Sequence, residues 1–370
     1  MARPLQVAFV SQDLCFGGTQ RQLVELASRL DRSRFSPSFW TLTGETDLEP
    51  FAAEKNVPVV HLGTAREPKL SFLYTLLREL HRRKPDILVP GTAIPNIWCR
   101  LYGKLLGWCC AYPAVLGTVR GEDGPYVQHE RFLWRLADHI MCNSTPLYAL
   151  LQNKTGIPQE HLTFIGNGVD AERFSPAPTP LAERQPLIVN VGRLVPNKNQ
   201  QCLIKAFALV VQQVPEARLR IVGEGELEGA LRKQVQAIPA LHGKVEFAGG
   251  VLDVRPHYAE ARIFCLSSVK EGQPNVLLEA MCSGLPVVTT NAGGACTDIV
   301  TDTVTGLVAQ QQDYAALARH LVTLLQNPAL CSTMGAAGRE HMLRHFDFKA
   351  MVSTHQAIFE RLQAQRHVAR

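Results

Sequence analysis

No run of apolar residues in this chain reaches the ~18 that a membrane-spanning helix requires. The opening Met-Ala-Arg-Pro-Leu-Gln-Val-Ala-Phe-Val is too short an apolar run for a signal peptide. The expected location is therefore the cytosol. Cysteine pairing is missing too: ten cysteines are scattered without a Cys-x-x-Cys spacing, and the adjacent pair Cys109-Cys110 lies in an apolar stretch. They read as reduced, mostly buried thiols. No Asp-x-Asp offers a carboxylate clamp for a divalent ion, and the twelve histidines are read as supplying no ligand set, so no metal is expected. The segment Gly223-Glu-Gly-Glu-Leu-Glu-Gly229 follows a strand-like run but misses the Gly-x-Gly-x-x-Gly register. It also places three glutamates where a pyrophosphate would sit, which argues against a dinucleotide cofactor. Nor is charge of one sign in large excess: 38 basic against 33 acidic residues give +5, too little for the clustered basic face of a nucleic-acid binder.

What the chain does have is core-forming material. Its 370 residues, 46% of them hydrophobic, suffice for two domains. Apolar runs at 7–10, 39–42, 57–61, 87–89, 114–118, 140–143 and 164–165 alternate with helix-like segments at 20–30, 70–83 and 97–106. This alternation implies βαβ crossovers and a parallel sheet. Four prolines from Pro176 to Pro186 resist both helix and strand, and mark a boundary. The grammar restarts at Leu187, with further strand-like runs at 219–222, 245–247, 263–266 and 287–289. The expected division is an amino-terminal α/β domain over 1–175, a linker and hinge at 176–186, and a second α/β domain over 187–351.

The basic residues are not evenly spread. Between Arg66 and Arg135 eleven Lys or Arg face six Asp or Glu, with Arg78, Arg82, Arg83 and Lys84 around one helix end and the apolar stretch 98–108 following. Such a surface suits peripheral contact with an anionic membrane or a lipid-linked acceptor. Ordinary solvated charges above a buried leucine face would produce the same pattern.

The richest stretch is Ser-Val-Lys-Glu271-Gly-Gln-Pro-Asn-Val-Leu-Leu-Glu279-Ala-Met-Cys-Ser-Gly-Leu-Pro-Val-Val. Glu271, just before a Gly-x-Pro turn, cannot be interior to a regular helix, whereas Glu279 reads as part of the helix that follows. Two carboxylates on one loop-helix unit, with helix-start N–H groups between them, can grip a polyhydroxylated anion. The N–H groups serve phosphate and the carboxylates serve sugar hydroxyls. Arg193 and Lys198 lie just past the strand ending in Val191-Gly192, at the ligand edge of a parallel sheet, where cations stabilise a departing diphosphate.

These residues carry a family resemblance. The Glu271-x7-Glu279 segment resembles the signature of the retaining glycosyltransferases of family 4, of GT-B architecture. Gly17-Gly18-Thr-Gln-Arg, Asn167-Gly-Val-Asp170 with Phe174, Val191-Gly-Arg-Leu-Val-Pro-Asn-Lys198 and Thr305-Gly-Leu-Val308 are similar to further elements of that family, in its order. The resemblance implies two Rossmann-like parallel-sheet domains facing each other across a cleft, with the final helix, about 352–370, packing back on the first. It implies a nucleotide-sugar donor, a glycan or lipid-linked acceptor, and no metal. Catalytic roles fall to Glu271, Arg193 and Lys198. Donor contacts fall to those three with Gly18, Asn275, Val276, Leu277 and Glu279, the last on the ribose. Family frequency points to a UDP-hexose or UDP-N-acetylhexosamine.

Two departures stand out. Arg120 occupies the place where many family members carry a histidine; it is read either as contacting an anionic donor sugar or acceptor, or as pairing with Glu122 or Asp123. Gly293-Gly-Ala-Cys-Thr-Asp298 offers Asp298 where a glutamate is usual. A nucleotide-sugar epimerase or hydrolase, or a non-catalytic partner protein, are the other functions this scaffold accommodates.

Overall fold

The alternating apolar runs fold into two parallel sheets in a computed structural model that describes residues 3–65, 71–107, 113–120, 124–292 and 295–368. The first sheet contains β1 (Leu5–Ser11), β2 (Phe35–Thr41), β3 (Val59–His61), β4 (Ile87–Pro90), β5 (Ala114–Val119), β6 (His139–Cys142) and β7 (Leu162–Phe164), in the order β3-β2-β1-β4-β5-β6-β7. The second contains β8 (Leu187–Val191), β9 (Arg218–Val222), β10 (Val245–Gly249), β11 (Ile263–Leu266), β12 (Val287–Thr290) and β13 (Leu307–Ala309), in the order β10-β9-β8-β11-β12-β13. Both sheets reverse direction beside their first strand, so each has a switch point, between β1 and β4 and between β8 and β11. In open parallel sheets that is where ligands bind, outside the carboxyl ends of the strands.

Burial on both faces explains the composition of the strands. Ile188, Val189, Phe264, Cys265, Val287 and Val288 are all buried, and helices cover each face. β2 begins earlier than its apolar run because Pro37 sits inside it. β3 pairs only from Phe39 onward, so the missing Pro37 N–H deprives no neighbour on that side of a ladder bond.

The chain forms two compact units, 1–167 with 348–370, and 168–347. Helix Phe348–Val368 completes the core of the first, where Phe359 meets Phe35 edge-on at 5.9 Å between ring centroids and Arg361 approaches His139. It starts four residues before the expected 352. Residues 168–175, expected in the first domain, pack in the second unit: Val169 and Phe174 are buried there, and Val169 N–H donates to the Phe346 carbonyl at 2.8 Å. The expected linker at 176–186 is also packed rather than free. Leu181 is buried, and the Arg184 guanidinium ties the segment down by donating to the carbonyls of Thr179, Tyr258 and Ala261 at 3.0, 3.2 and 2.8 Å. Proline kept α-helix and strand out of this segment, which holds only the single 3-10 turn Leu181–Glu183, without preventing it from packing.

Two histidines of the first unit are held neutral. Burial, with Arg361 and His161 adding to it, pushes His139 down to about 4. Burial also pushes His355 down to about 4, against its bond to the Met351 carbonyl and with the help of Arg120. Both groups bind protons more readily in the unfolded chain, so stability is complete above the unfolded histidine range and declines as pH falls from about 6.5 toward 4. The urea midpoint is therefore expected to drop between pH 6.5 and pH 5, before most carboxylates titrate, and a His139→Gln/His355→Gln variant to show a flatter profile over that window.

Candidate functional site

β8 ends at Val191, and Gly192 and Leu194 then donate to the carbonyls of Val222 and Glu224, both at 2.9 Å. This close approach explains the glycines of the next loop. A Cβ at Gly223, whose φ is 135°, would lie 2.1 Å from the Gly192 carbonyl oxygen, and one at Gly225 would lie 2.5 Å from that of Leu194. Gly223 and Gly225 thus permit loop packing, with no cofactor needed to account for them.

Beyond Leu194 a single turn, Pro196–Lys198, turns Lys198 back over the β11 loop. The two loops are laced together: Val269 N–H donates to the Asn197 carbonyl at 2.8 Å, and Ser267 Oγ to that of Lys198 at 3.0 Å. At the junction stands Glu271, only 9% exposed. Its Oε1 accepts from Lys198 Nζ and from Ser268 Oγ, each at 2.5 Å, and its N–H donates to the Ala292 carbonyl at 3.0 Å. Both side-chain bonds end on the same oxygen. A carboxylate has room for about four hydrogen bonds, so Oε2 is the acceptor left to a ligand.

Helix Asn275–Cys282 follows at once, capped by Pro274 with no side-chain cap. Leu277 N–H is turned inward to the Pro274 carbonyl at 3.1 Å, and its side chain is core. Asn275 is buried at the helix start, and Val276 packs against the same core. Glu279, also buried, takes a bond from the Tyr258 hydroxyl at 3.3 Å. Arg193 is exposed. Asp298 lies on the short helix Ala295–Ile299, while Gly293 and Gly294 are outside the described residues.

Lys198, Ser268 and Glu271 therefore form one contact set, while Tyr258 and Glu279 form another, with Glu279 about one turn into the helix. Ser268 and Tyr258 had no signal in the sequence beyond the serine's place just after a strand. Cys296 is the nearby thiol. Burial, reinforced by the Glu271 charge, pushes it up to about 12, so it stays protonated and is no nucleophile.

Gly18 and Arg120 belong to the first unit. Gly18 opens helix Gly18–Arg29. Arg120 follows β5, donates from Nη1 to Asn167 Oδ1 at 3.1 Å, and is pushed down to about 10 by burial. Glu122 and Asp123, its alternative partners, lie outside the described residues. At the basic helix end, Arg82, Arg83 and Arg78 converge on the buried carboxylate of Glu79 at 2.6, 2.8 and 3.5 Å, so part of that positive charge is neutralised internally. One histidine pair, His341 and His345, does stand at two-ligand spacing, with rings 4.8 Å apart. Among the described residues, however, no three His, Cys, Asp or Glu gather as a metal site. Nor is any described helix long and apolar enough to cross a membrane.

Residues 16–173 match Glycosyltransferase Family 4, and residues 185–327 match Glycosyl transferases group 1. The chain belongs to this glycosyltransferase family. A GDP-mannose-dependent monoacylated alpha-(1-6)-phosphatidylinositol monomannoside mannosyltransferase of Corynebacterium glutamicum is 35% identical over 52% of this chain and 54% of its own length. The capsular polysaccharide biosynthesis glycosyltransferase CapM of Staphylococcus aureus is 26% identical over 80% of each. The alignment thus spans about half the length of the mannosyltransferase relatives. Anabaena HepE, crystallised with UDP-glucose, superposes with a TM-score of 0.82 at 20% identity, covering 97% of this chain and 100% of that one. At that identity the likeness establishes the fold, which is GT-B.

The loops after β8 and β9 can approach this closely because positions 223 and 225 carry no Cβ. Gly223→Ala is expected to cost ~2 kcal/mol or more, because a positive φ and a carbonyl clash coincide, and to displace Arg193 and Lys198. A urea titration alongside a nucleotide-binding assay checks both effects.

Proposed function

We propose that the chain transfers a sugar from a nucleoside-diphosphate donor to a hydroxyl of a glycan or lipid-linked acceptor, with retention at the anomeric carbon. The observation that carries this reading is Glu271. It is a buried carboxylate at the switch point of the second sheet, anchored through one oxygen by Lys198 and Ser268, with no bond to the other among the described residues.

In this reading Oε2 of Glu271 accepts from hydroxyls of the transferred sugar. Asn275 and the start of its helix face the phosphates, and Glu279 receives the ribose hydroxyls. The bond from the anomeric carbon to the diphosphate breaks with its electron pair going to the phosphate oxygen, where Lys198 and Arg193 meet the developing charge. The acceptor oxygen bonds to the same face of that carbon and gives its proton to the departing phosphate. No enzyme nucleophile is required, in keeping with the protonated Cys296. Because two cations from this chain are assigned to the diphosphate, the reaction is proposed to need no metal.

The expected donor was a UDP-sugar. The Corynebacterium glutamicum relative, 35% identical over its matched half, is by its name GDP-mannose dependent, which supports GDP-mannose as the other candidate. Its name gives a phosphatidylinositol monomannoside as acceptor, and CapM is named for capsular polysaccharide biosynthesis, so both a lipid-linked and a polysaccharide acceptor have support. With a lipid-linked acceptor the protein would work peripherally at a membrane face.

Glu271→Ala and Lys198→Ala are each expected to lower kcat by about 10²-fold or more, with circular dichroism unchanged. Near-normal transfer in either variant would remove the main support. Incubating donor without acceptor separates an epimerase or hydrolase, which would consume it. A thermal-shift comparison of the UDP and GDP series, with and without chelator, reads the base. A ligand at ~100 times its Kd adds roughly 2.7 kcal/mol, and stabilisation by neither series would favour a non-catalytic protein.

A further inference from the structure

At the opposite edge of the second sheet, β8, β9 and β10 begin at Leu187, Arg218 and Val245, and their starts line a cavity of about 550 Å³. Five strand residues at ~3.3 Å each put it about 15 Å from the Glu271 edge. Arg184, Arg218, Arg220 and Lys244 line it with Glu246 and Glu260.

The charges in this cavity do not balance. Arg220 is neutralised, its Nε on Glu246 at 2.7 Å and its Nη1 on Glu260 at 2.6 Å. The other three cations end on backbone carbonyls. Arg184, only 6% exposed, donates to Thr179, Tyr258 and Ala261; Arg218 donates to Gly243 at 3.0 Å; Lys244 donates to Pro215. Carbonyls satisfy N–H donors but carry no net charge, so the lining keeps an excess of two positive charges around a partly desolvated guanidinium. Pinning the 176–186 segment accounts for Arg184 alone. It leaves unexplained why Arg218 and Lys244 share the same rim.

We infer that this cavity is a second binding site, for a small phosphate-bearing anion. A phosphate dianion matches the charge excess, and a volume within the ~300–1,000 Å³ of small-molecule sites admits a monosaccharide phosphate as well as phosphate itself. Lying away from Glu271 and Lys198, it acts on the protein independently of the donor.

The test is a calorimetric titration of the full chain, at low ionic strength in phosphate-free buffer, with inorganic phosphate and separately with glucose 6-phosphate. Saturable binding is expected to survive Lys198→Ala within about twofold, to weaken about tenfold or more in Arg218→Ala/Lys244→Ala, and to tighten in Glu246→Gln, which removes an opposing charge. Equal affinity for the two probes assigns the site to phosphate; tighter glucose 6-phosphate assigns it to a sugar phosphate. Failure of the wild type to bind either probe, loss of binding in Lys198→Ala, or wild-type binding by a folded Arg218→Ala/Lys244→Ala overturns the inference. Should the double variant not fold, unchanged or weaker binding by Glu246→Gln overturns it.

Discussion

A carboxylate that is nine-tenths buried needs a counter-charge, and Glu271 obtains one from 73 residues away in the sequence, on the loop of another strand. That contact is possible only if β8 and β11 are neighbours. In a chain built from right-handed βαβ crossovers, it requires the sheet to run outward from β8 in one direction and restart from β11 in the other. The switch point is thus the condition for Lys198 and Glu271 to meet. The lacing of Val269 to Asn197 and of Ser267 to Lys198 fixes the two loops at the spacing the ion pair needs. Asn190 Nδ2, donating across to the Cys265 carbonyl at 2.8 Å, ties the strands together just beneath. Preorganisation of this kind lets one carboxylate oxygen be spent on the scaffold while the other stays available.

The same logic separates what the sequence made legible from what it did not. Strands buried on both faces must be apolar throughout, so β1, β4, β5, β8 and β11 announced themselves as short runs between helical segments. The place of Glu271 on a loop and of Glu279 on a helix followed from Pro274. Their assigned roles came from the resemblance. Pro37 concealed the first half of β2, since the partial pairing that tolerates a proline is invisible in one dimension. The prolines of 176–186 suggested a free linker because proline forbids regular structure, yet a single arginine offering several donors suffices to dock an irregular segment onto carbonyls. Gly223 and Gly225 looked like a degraded cofactor motif, and only the 2.1 and 2.5 Å approaches revealed packing as their purpose. Ser268 and Tyr258 gain meaning solely from what they touch.

Charge distribution obeys a related constraint at the periphery. Three arginines close to one helix end read as a basic patch, but Glu79 draws Arg78, Arg82 and Arg83 together. Counting charges along the chain therefore overstated the field there. The amino edge of the second sheet shows the converse: no sequence run marks it, because Arg184, Arg218, Arg220 and Lys244 come from separate elements. Whether a basic residue contributes to a surface field depends on the kind of partner it ends on. A carboxylate cancels the charge and a carbonyl leaves it in place.

Position 120 shows how a substitution can be accommodated from elsewhere in the fold. By the family resemblance an arginine stands there in place of a neutral ring, and burial, with the Arg120 charge adding to it, disfavours the protonated form of His355. At about 10 Arg120 keeps its charge at neutral pH, while His355, at about 4, surrenders its proton. The bond from His355 to the Met351 carbonyl at 2.8 Å fixes the tautomer, since a carbonyl only accepts: Nδ1 must hold the hydrogen and Nε2 the lone pair. Nε2 is buried and has no partner among the described residues. The final helix thereby returns to the neighbourhood of Arg120 a neutral ring with an open lone pair. With so low a proton affinity, that lone pair can accept a hydrogen bond without taking the proton.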